Sequence, residues 1–322
     1  MTHYLAFSLL LTTVAGATVA GAGPRSPDPA PYWRSAGLVL GGPDAPPDNA
    51  ATEQSNADRS KSCDGVSFIR NLKYGESGQN VLDVATGDIR DSAPRPVLLL
   101  VAGESFDGDN AAADIAGALA DQALCFAARR GMVGVSMSYR RAPDNPWPSG
   151  ARDVAAATSW LHQNVDLFGG SRDEIVAVGY SVGAFHLASL LGHKELQESD
   201  SDIAGAVLVS GLYRIGGDAS AAEKSYFGAD ASQYDERSAY PGILRLEIPI
   251  LLAWAAADPP RLVAQGEQLK ALLCKSPAQC PHTTVLRDRA GLASLLGPDA
   301  SGDSLAEPIL ELVREIEARG LP

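Results

Sequence analysis

Residues 179–183 read GYSVG, directly after an apolar run at 174–178 and at the start of a helical pattern over 182–191. This order predicts a sharp turn from a buried strand into a helix, with glycines where the backbone is crowded. Such a turn holds the hydroxyl of Ser181 at the amino end of the helix, where the helix dipole favours developing negative charge. The stretch therefore predicts a reactive serine at the edge of a sheet. The alternative is a serine that only completes a tight turn.

Short apolar runs alternate with helical patterns along the chain on both sides of this turn. Several runs lack polar alternation, as expected of strands that are covered on both faces. Alternation of this kind is typical of βαβ units, so we expect an α/β fold with a mostly parallel central sheet and helices on both faces. The predicted strands are 97–101, 132–138, 174–178, 203–209, 250–254 and 283–286. The predicted helices are 111–130, 151–164, 182–191, 260–273 and 304–319.

The composition limits the kinds of protein to consider. The chain has 322 residues, of which 45% are hydrophobic and 20% charged, as in an ordinary globular protein with one large core. Its net charge of -13 argues against a nucleic-acid partner, because phosphate binding depends on clustered Lys and Arg. His and Cys do not occur with the spacing of metal ligands, and we expect neither a metal nor a cofactor.

The N-terminus has the pattern of an export signal. Residues 5–19 are apolar and small, and Ala-Gly-Ala at 20–22 fits cleavage by signal peptidase, so we predict a signal peptide at 1–22 and a secreted or periplasmic protein. The residues before this run include no Lys or Arg, which leaves a retained anchor as the alternative. Residues 23–60 are rich in Pro, Ala, Gly, Asp and Asn and predict a disordered linker. No later apolar run is long enough to span a membrane, so no membrane contact is expected after cleavage.

The remaining residues, 61–322, form the predicted folded domain. The irregular stretch 212–247 interrupts the alternation of strands and helices. We expect it to form a small cap over the carboxyl edge of the sheet, where ligands bind in this architecture.

Four cysteines fall within this domain and suit an oxidising compartment. They allow three full pairings. We favour Cys274 with Cys280, which closes a short loop between a helix and the next strand, and Cys63 with Cys125, which ties an N-terminal segment to the first large helix. Buried free thiols are the alternative.

A series of motifs around the turn resembles, in order and spacing, the carboxylesterase and lipase families of the α/β-hydrolase fold, especially the bacterial feruloyl-esterase-like group. The resemblance covers about 74–313. It implies an α/β-hydrolase fold and a small-molecule ester as substrate. The motifs are YRRAP at 139–143, PWP at 146–148, RD at 152–153, WL at 160–161, Asn164, GG at 169–170, YFG at 226–228 and ADPP at 257–260.

The resemblance also implies roles for particular residues. Ser181 corresponds to the nucleophile, and Asp258, which follows the predicted strand near 250–257, corresponds to the acid in the chain order serine, acid, histidine. The alternative for Asp258 is a cap for the helix that follows it. The oxyanion hole would be formed by the backbone N–H groups of Val182 and Gly103.

Two parts of the sequence depart from the family pattern. The segment that usually carries the catalytic histidine reads DRAGLAS at 288–294, with Arg289 and Gly291 at the expected positions. The usual His-Gly-Gly-Gly run is replaced by AGES at 102–105. In this run Glu104 would place a carboxylate near a developing oxyanion, which is adverse unless the side chain turns away or acts as a base.

The candidates for a substitute base are Glu104 and His282. His282 precedes the last predicted strand, which places it toward the wrong end of the sheet. His186 lies in the helix after the turn, where the family often has a structural histidine, and His162 and His193 belong to helical regions distant from the expected loop.

These observations support two hypotheses. The first is a secreted carboxylesterase in which Ser181 attacks an acyl ester. The second is a catalytically inactive member of the fold that binds a ligand or partner in the former active-site pocket. The sequence leaves the acyl group, the alcohol and the oligomeric state open.

Overall fold

The computed structural model describes residues 63–88, 93–103, 105–106, 110–198, 202–287 and 304–320. The predicted signal peptide at 1–22 and linker at 23–60 lie outside the described residues. So do Glu104 and the segment 288–303, in which the resemblance would place a histidine.

Eight strands of the described residues form one sheet in the order β1-β2-β4-β3-β5-β6-β7-β8. The β1–β2 and β2–β4 pairs are antiparallel, and all the other pairs are parallel. The strands are β1 (Val66–Lys73), β2 (Val81–Gly87), β3 (Arg95–Val101), β4 (Val133–Met137), β5 (Gly170–Tyr180), β6 (Gly205–Val209), β7 (Ile250–Ala255) and β8 (His282–Leu286). The helices are α1 (Asn110–Arg129), α2 (Ser149–Asn164), α3 (Val182–Gly192), α4 (Ala221–Phe227), α5 (Tyr234–Arg237), α6 (Pro260–Leu273) and α7 (Ala306–Gly320).

The predicted α/β class with a mostly parallel sheet is confirmed, and each predicted strand is present as β3 to β8. The strands β1 and β2 were not anticipated from the sequence. β1 lies at an edge of the sheet, and its pairing with β2 shifts register between Ile69 and Leu72. Asn71, inside this irregularity, has a positive φ of 58°. A polar edge strand with a bulge lacks both the apolar run and the strict alternation that reveal a strand in a sequence.

Helices cover both faces of the sheet because successive strand residues point to opposite sides. On one face, alternate strand residues pack with α2 and α3 in a cluster that includes Leu99, Ala177, Leu208, Leu161 and Leu187. On the other face, the intervening residues pack with α1 and α7 in a cluster that includes Leu98, Val176, Val207, Phe126 and Ile309. This arrangement explains why the central strands read as continuous apolar runs.

The segment 212–247 connects β6 to β7 and contains the short helices α4 and α5. Ser220 begins α4 with a capping box, in which its side chain accepts a hydrogen bond from the N–H of Glu223 and the Glu223 carboxylate accepts one from the N–H of Ser220. The apolar side chains of the segment, among them Tyr226 and Phe227, share a buried cluster with Phe185 of α3 and with Phe106. The segment therefore packs directly on the helix that follows the GYSVG turn.

Two disulfides join the same cysteines that we paired from the sequence. Cys63 is bonded to Cys125, with their Cα atoms 5.8 Å apart, and this bond ties the start of the described chain to α1. Cys274 is bonded to Cys280, with Cα atoms 4.0 Å apart, between α6 and β8.

The described residues contain neither a membrane-spanning helix nor a cluster of metal-binding side chains. None of the helices there combines the length and the apolar character needed to cross a bilayer. In the same residues, His, Cys, Asp and Glu side chains do not gather in groups of three that could hold a metal ion.

Candidate active site

The GYSVG turn brings Ser181 to the junction of β5 and α3 in a strained conformation. Its φ is 53° and its ψ is -115°, which L-residues rarely adopt and which occurs most often where function requires it. The N–H of Ser181 donates to the carbonyl oxygen of Val209 at 2.9 Å, and the residue is half-buried. The turn therefore holds the serine at the carboxyl edge of the sheet with part of its surface open.

The two flanking glycines are required by the close approach of backbone segments. A Cβ at Gly179 would lie 2.6 Å from the Cα of Ala184, within the helix that the turn begins. A Cβ at Gly183 would lie 2.0 Å from the carbonyl oxygen of Val101, at the end of β3. Real Cβ atoms do not tolerate such distances, so both positions exclude any larger residue.

The backbone around Gly103 lies against the serine. A Cβ on Gly103 would be 2.7 Å from the Cβ of Ser181 and 2.4 Å from the carbonyl oxygen of Tyr180. Val182 is the first residue of α3, and the first N–H groups of a helix have no acceptor within the helix. The structure thus brings both predicted oxyanion-hole residues next to Ser181.

The segment that precedes Gly103 is held by the loop that carries the YRRAP motif. The Tyr139 hydroxyl donates to the carbonyl oxygen of Ala102 at 3.0 Å. The adjacent Arg140 guanidinium donates to both oxygens of the nearly buried Asp153, at 2.7 Å for the shortest contact. These motif residues have a structural role, because they fix the loop that supports the predicted oxyanion hole.

Asp258 lies just beyond the end of β7 and is 6% exposed. Its Oδ2 atom accepts a hydrogen bond from the Ser210 hydroxyl at 2.6 Å and another from the N–H of Ala255 at 2.9 Å. Neither donor belongs to α6, and Pro259 at the start of α6 makes no side-chain cap. These two contacts hold the carboxylate against the ends of β6 and β7.

Ser181 and Asp258 lie at the same edge of the sheet. β5, β6 and β7 are adjacent and parallel, with Tyr180 opposite Val209 and Val209 opposite Ala253. Strands are spaced by about 4.8 Å, so the ends of β5 and β7 are on the order of 10 Å apart. The structure thus brings together the predicted nucleophile, the predicted acid and the predicted oxyanion-hole residues.

His282, one of the two candidates for a substitute base, does not join this group, and it lies toward the end of the sheet at which the sequence placed it. It pairs with Leu251 at the amino end of the parallel strands, whereas Leu286 pairs with Ala255 at the carboxyl end. A strand rises about 3.3 Å per residue, which leaves His282 roughly 13 Å from the edge that carries Ser181. Its Nε2 atom lies 3.2 Å from a carboxylate oxygen of Glu315.

The other histidines of the described residues also make their contacts elsewhere. His186 of α3 is fully buried among aromatic rings, and its Nδ1 atom lies 3.4 Å from the Tyr226 hydroxyl, which accepts from the N–H of Gly150. Burial lowers the pKa of His186 to about 3, so the ring is neutral at ordinary pH. His162 and His193 each contact a backbone carbonyl oxygen at 2.8 Å, those of Asp202 and Ser238.

Sequence reasoning missed Ser210. It follows an apolar strand that neighbours the strand of the GYSVG turn, and it is itself followed by glycine. Ligands bind at the carboxyl ends of parallel strands, so a polar residue in that place could have identified Ser210 as part of the site.

Comparison with known proteins gives the same fold. A family model described as the alpha/beta hydrolase fold matches residues 113–267. The chain is 33% identical over 156 residues to the esterase LipC of Mycobacterium tuberculosis, a match that covers 45% of this chain and 36% of that protein. It is 28% identical over 242 residues to the esterase LipQ of the same organism, covering 70% of this chain and 53% of that protein. The chain thus spans about a third to a half of the length of these curated relatives.

Solved structures resemble the chain over more of its length. An inhibited esterase B from Lactobacillus rhamnosis superposes with a TM-score of 0.64 at 16% identity, covering 84% of this chain and 94% of that one. A bacterial heroin esterase superposes with a TM-score of 0.57 at 19% identity, covering 92% of this chain and 98% of that one. At these identities the likeness shows the shared fold.

Replacing Gly183 with Ala tests the close packing of the turn. The added methyl group collides with the carbonyl oxygen of Val101, so we expect Gly183→Ala to lower the free energy of unfolding by at least about 2 kcal/mol. Gly217→Ala is the matched control, because a Cβ there meets nothing within 4 Å, and it should change stability by less than about 0.5 kcal/mol. Urea denaturation measures both, and equal midpoints for the two variants would contradict the described packing.

The buried His186 predicts a specific loss of stability in acid. Its pKa is about 3 in the folded protein and 6.5 in the unfolded chain, so between these values the unfolded state binds more protons. As the pH falls from 6.5 toward 3, this residue should therefore lower the free energy of unfolding by up to about 1.4 kcal/mol per pH unit.

Unfolding curves recorded across this pH range compare the wild type with His186→Gln, which cannot gain the charge. The variant should have the shallower acid slope. Identical slopes for the wild type and His186→Gln would show that His186 is not kept neutral by burial.

Proposed function

We propose that this chain, an α/β-hydrolase related to the carboxylesterases and lipases, is an exported carboxylesterase that cleaves small-molecule esters by attack of Ser181. The observation that carries the proposal is the strained turn at Ser181, with the backbone of Gly103 packed against the serine. A left-handed serine that also sits between two potential N–H donors is an arrangement suited to nucleophilic attack. The esterases among its relatives support the same class of substrate.

In this mechanism the Ser181 oxygen attacks the acyl carbon and gives a tetrahedral oxyanion. The N–H groups of Val182 and Gly103 stabilise the negative charge on that oxygen. A base accepts the serine proton and returns it to the departing alcohol, which leaves an acyl group on Ser181. Water activated by the same base then releases the acid and regenerates the serine.

Glu104 is the base that we assign in this mechanism. It directly follows Gly103 in the sequence, and the backbone of Gly103 lies against Ser181, so Glu104 is the candidate base whose place in the chain is next to the site. A carboxylate accepts a proton, but its charge opposes the developing oxyanion. Turnover should therefore be slower than with a histidine base and most evident with activated esters.

The two disulfides support the export that the N-terminal pattern predicts. Disulfides persist in the periplasm and outside the cell, whereas the cytosol keeps most thiols reduced. Cys63–Cys125 and Cys274–Cys280 account for all four cysteines of the chain.

Covalent labelling tests the role of Ser181. A fluorophosphonate probe should modify the wild type, and mass spectrometry of a digest should locate the adduct on Ser181. Ser181→Ala should lose the adduct and at least about 100-fold of the hydrolysis of p-nitrophenyl acetate, because the attacking oxygen is absent. Ser67→Ala, changed at an exposed serine of β1, should retain both. A wild type that is not labelled at any pH between 6 and 10 would contradict this function.

Glu104→Gln tests the proposed base. Loss of a general base lowers turnover by about 100-fold or more, while substrate binding is little affected. We therefore expect kcat for p-nitrophenyl acetate to fall to that extent with KM within a factor of about two. Glu76→Gln, at an exposed carboxylate between β1 and β2, provides the control. If kcat for Glu104→Gln equals that of the wild type, another group accepts the serine proton.

A further inference from the structure

We infer that Ser210 is a positioning residue that holds the Asp258 carboxylate at the sheet edge that carries Ser181. The inference rests on the proposed function and adds to it a supporting role for Asp258, which has the place of the family's acid, in the proton transfer at Ser181. Ser210 follows β6 and is 3% exposed. Its hydroxyl donates to the Oδ2 atom of Asp258 at 2.6 Å.

The backbone conformation of Ser210 argues that the hydroxyl is needed there. Its φ is 51°, in the left-handed region that favours glycine over all other residues. The next residue in the chain is Gly211, yet the left-handed position is occupied by serine. Strained residues of this kind concentrate at functional sites, where the side chain contributes something that glycine lacks. In Ser210 that contribution is the hydrogen bond to Asp258.

Ser210 also directly follows β6, the strand that lies between the strand of the nucleophile, β5, and the strand of the acid, β7. The N–H of Ser181 donates to the carbonyl oxygen of Val209, and the N–H of Ser210 donates to that of Ala253 at 2.8 Å. Two left-handed serines thus end adjacent strands, and backbone hydrogen bonds link each of them to the next strand of the sheet. This connection fixes the position of Ser210 relative to both Ser181 and β7.

Two donors on one oxygen determine the orientation of the carboxylate. The Ser210 hydroxyl and the N–H of Ala255 both approach Oδ2 of Asp258, from β6 and β7 respectively. Hydrogen bonds to an ionised group are shorter and stronger than neutral ones, and they offset the cost of burying the charge. Loss of the hydroxyl removes one of these donors and weakens the restraint on the carboxylate.

Two substitutions separate this role from a structural one. Ser210→Gly removes a buried hydrogen bond, which lowers Tm, and relieves the left-handed strain, which raises it. Tm should therefore stay close to that of the wild type while kcat for p-nitrophenyl acetate falls on the order of 10-fold with KM within a factor of about two. Ser210→Thr retains the hydroxyl but adds a β-branch, so Tm should fall while kcat stays closer to that of the wild type. A merely structural serine would make kcat follow Tm, and that outcome would overturn the inference.

Asn71→Gly is the matched control for the backbone. Asn71 is also left-handed, with φ of 58°, but lies in β1 at the far edge of the sheet. The substitution relieves the same backbone strain without touching Asp258, so it should leave kcat unchanged.

A double-mutant cycle tests whether Ser210 acts through Asp258. In an Asp258→Asn background, Ser210→Gly should lower kcat by less than about twofold, because the carboxylate on which it acts is already gone. If Ser210→Gly lowers kcat by the same factor in the Asp258→Asn background as in the wild type, the inference is overturned. If the wild type hydrolyses the ester no faster than Ser181→Ala, the proposed function fails and this inference fails with it; if the wild type is active and Ser210→Gly has full kcat, only this inference fails.

Discussion

The close approach of three backbone segments at the carboxyl edge of the sheet is the constraint on which the rest of the site depends. Gly183 lies against the end of β3, Gly179 against α3, and Gly103 against Ser181. A side chain at any of these three positions would collide with neighbouring backbone, so the three segments can approach each other only where the sequence has glycine. The same contacts surround the turn in which Ser181 has its left-handed conformation, and they bring the backbone of Gly103 against the serine.

Much of the fold was predictable because its central strands are covered on both faces. A parallel strand between two layers of helices is largely apolar, and central strands such as β3, β6 and β7 were found from that property. The β1–β2 hairpin lies toward the edge of the sheet and satisfies its polar groups with ion pairs, such as Arg70 with Asp83 and Asp121. Its sequence therefore carries no apolar run. The helices α4 and α5 are short and depend on packing against α3, which local sequence does not reveal.

The site was predictable to the extent that its residues follow strands. Ser181 and Asp258 each come directly after a buried strand, and parallel strands bring their carboxyl ends to one edge. The bond between Ser210 and Asp258 depends instead on the register of β6 against β7, which joins residues 48 positions apart. His282 lies at the start of β8 rather than after its end, so it is at the amino end of the parallel strands, away from Ser181.

The packing of the segment 212–247 has a consequence for how a substrate would enter. Its aromatic side chains share a buried cluster with Phe185, on the helix that begins at the nucleophile. A segment packed this way does not swing aside as a hinged flap, because moving it would expose the interior of the domain to water. Activity should then rise smoothly with the concentration of dissolved ester, without the sudden increase at an oil–water boundary that a mobile flap produces.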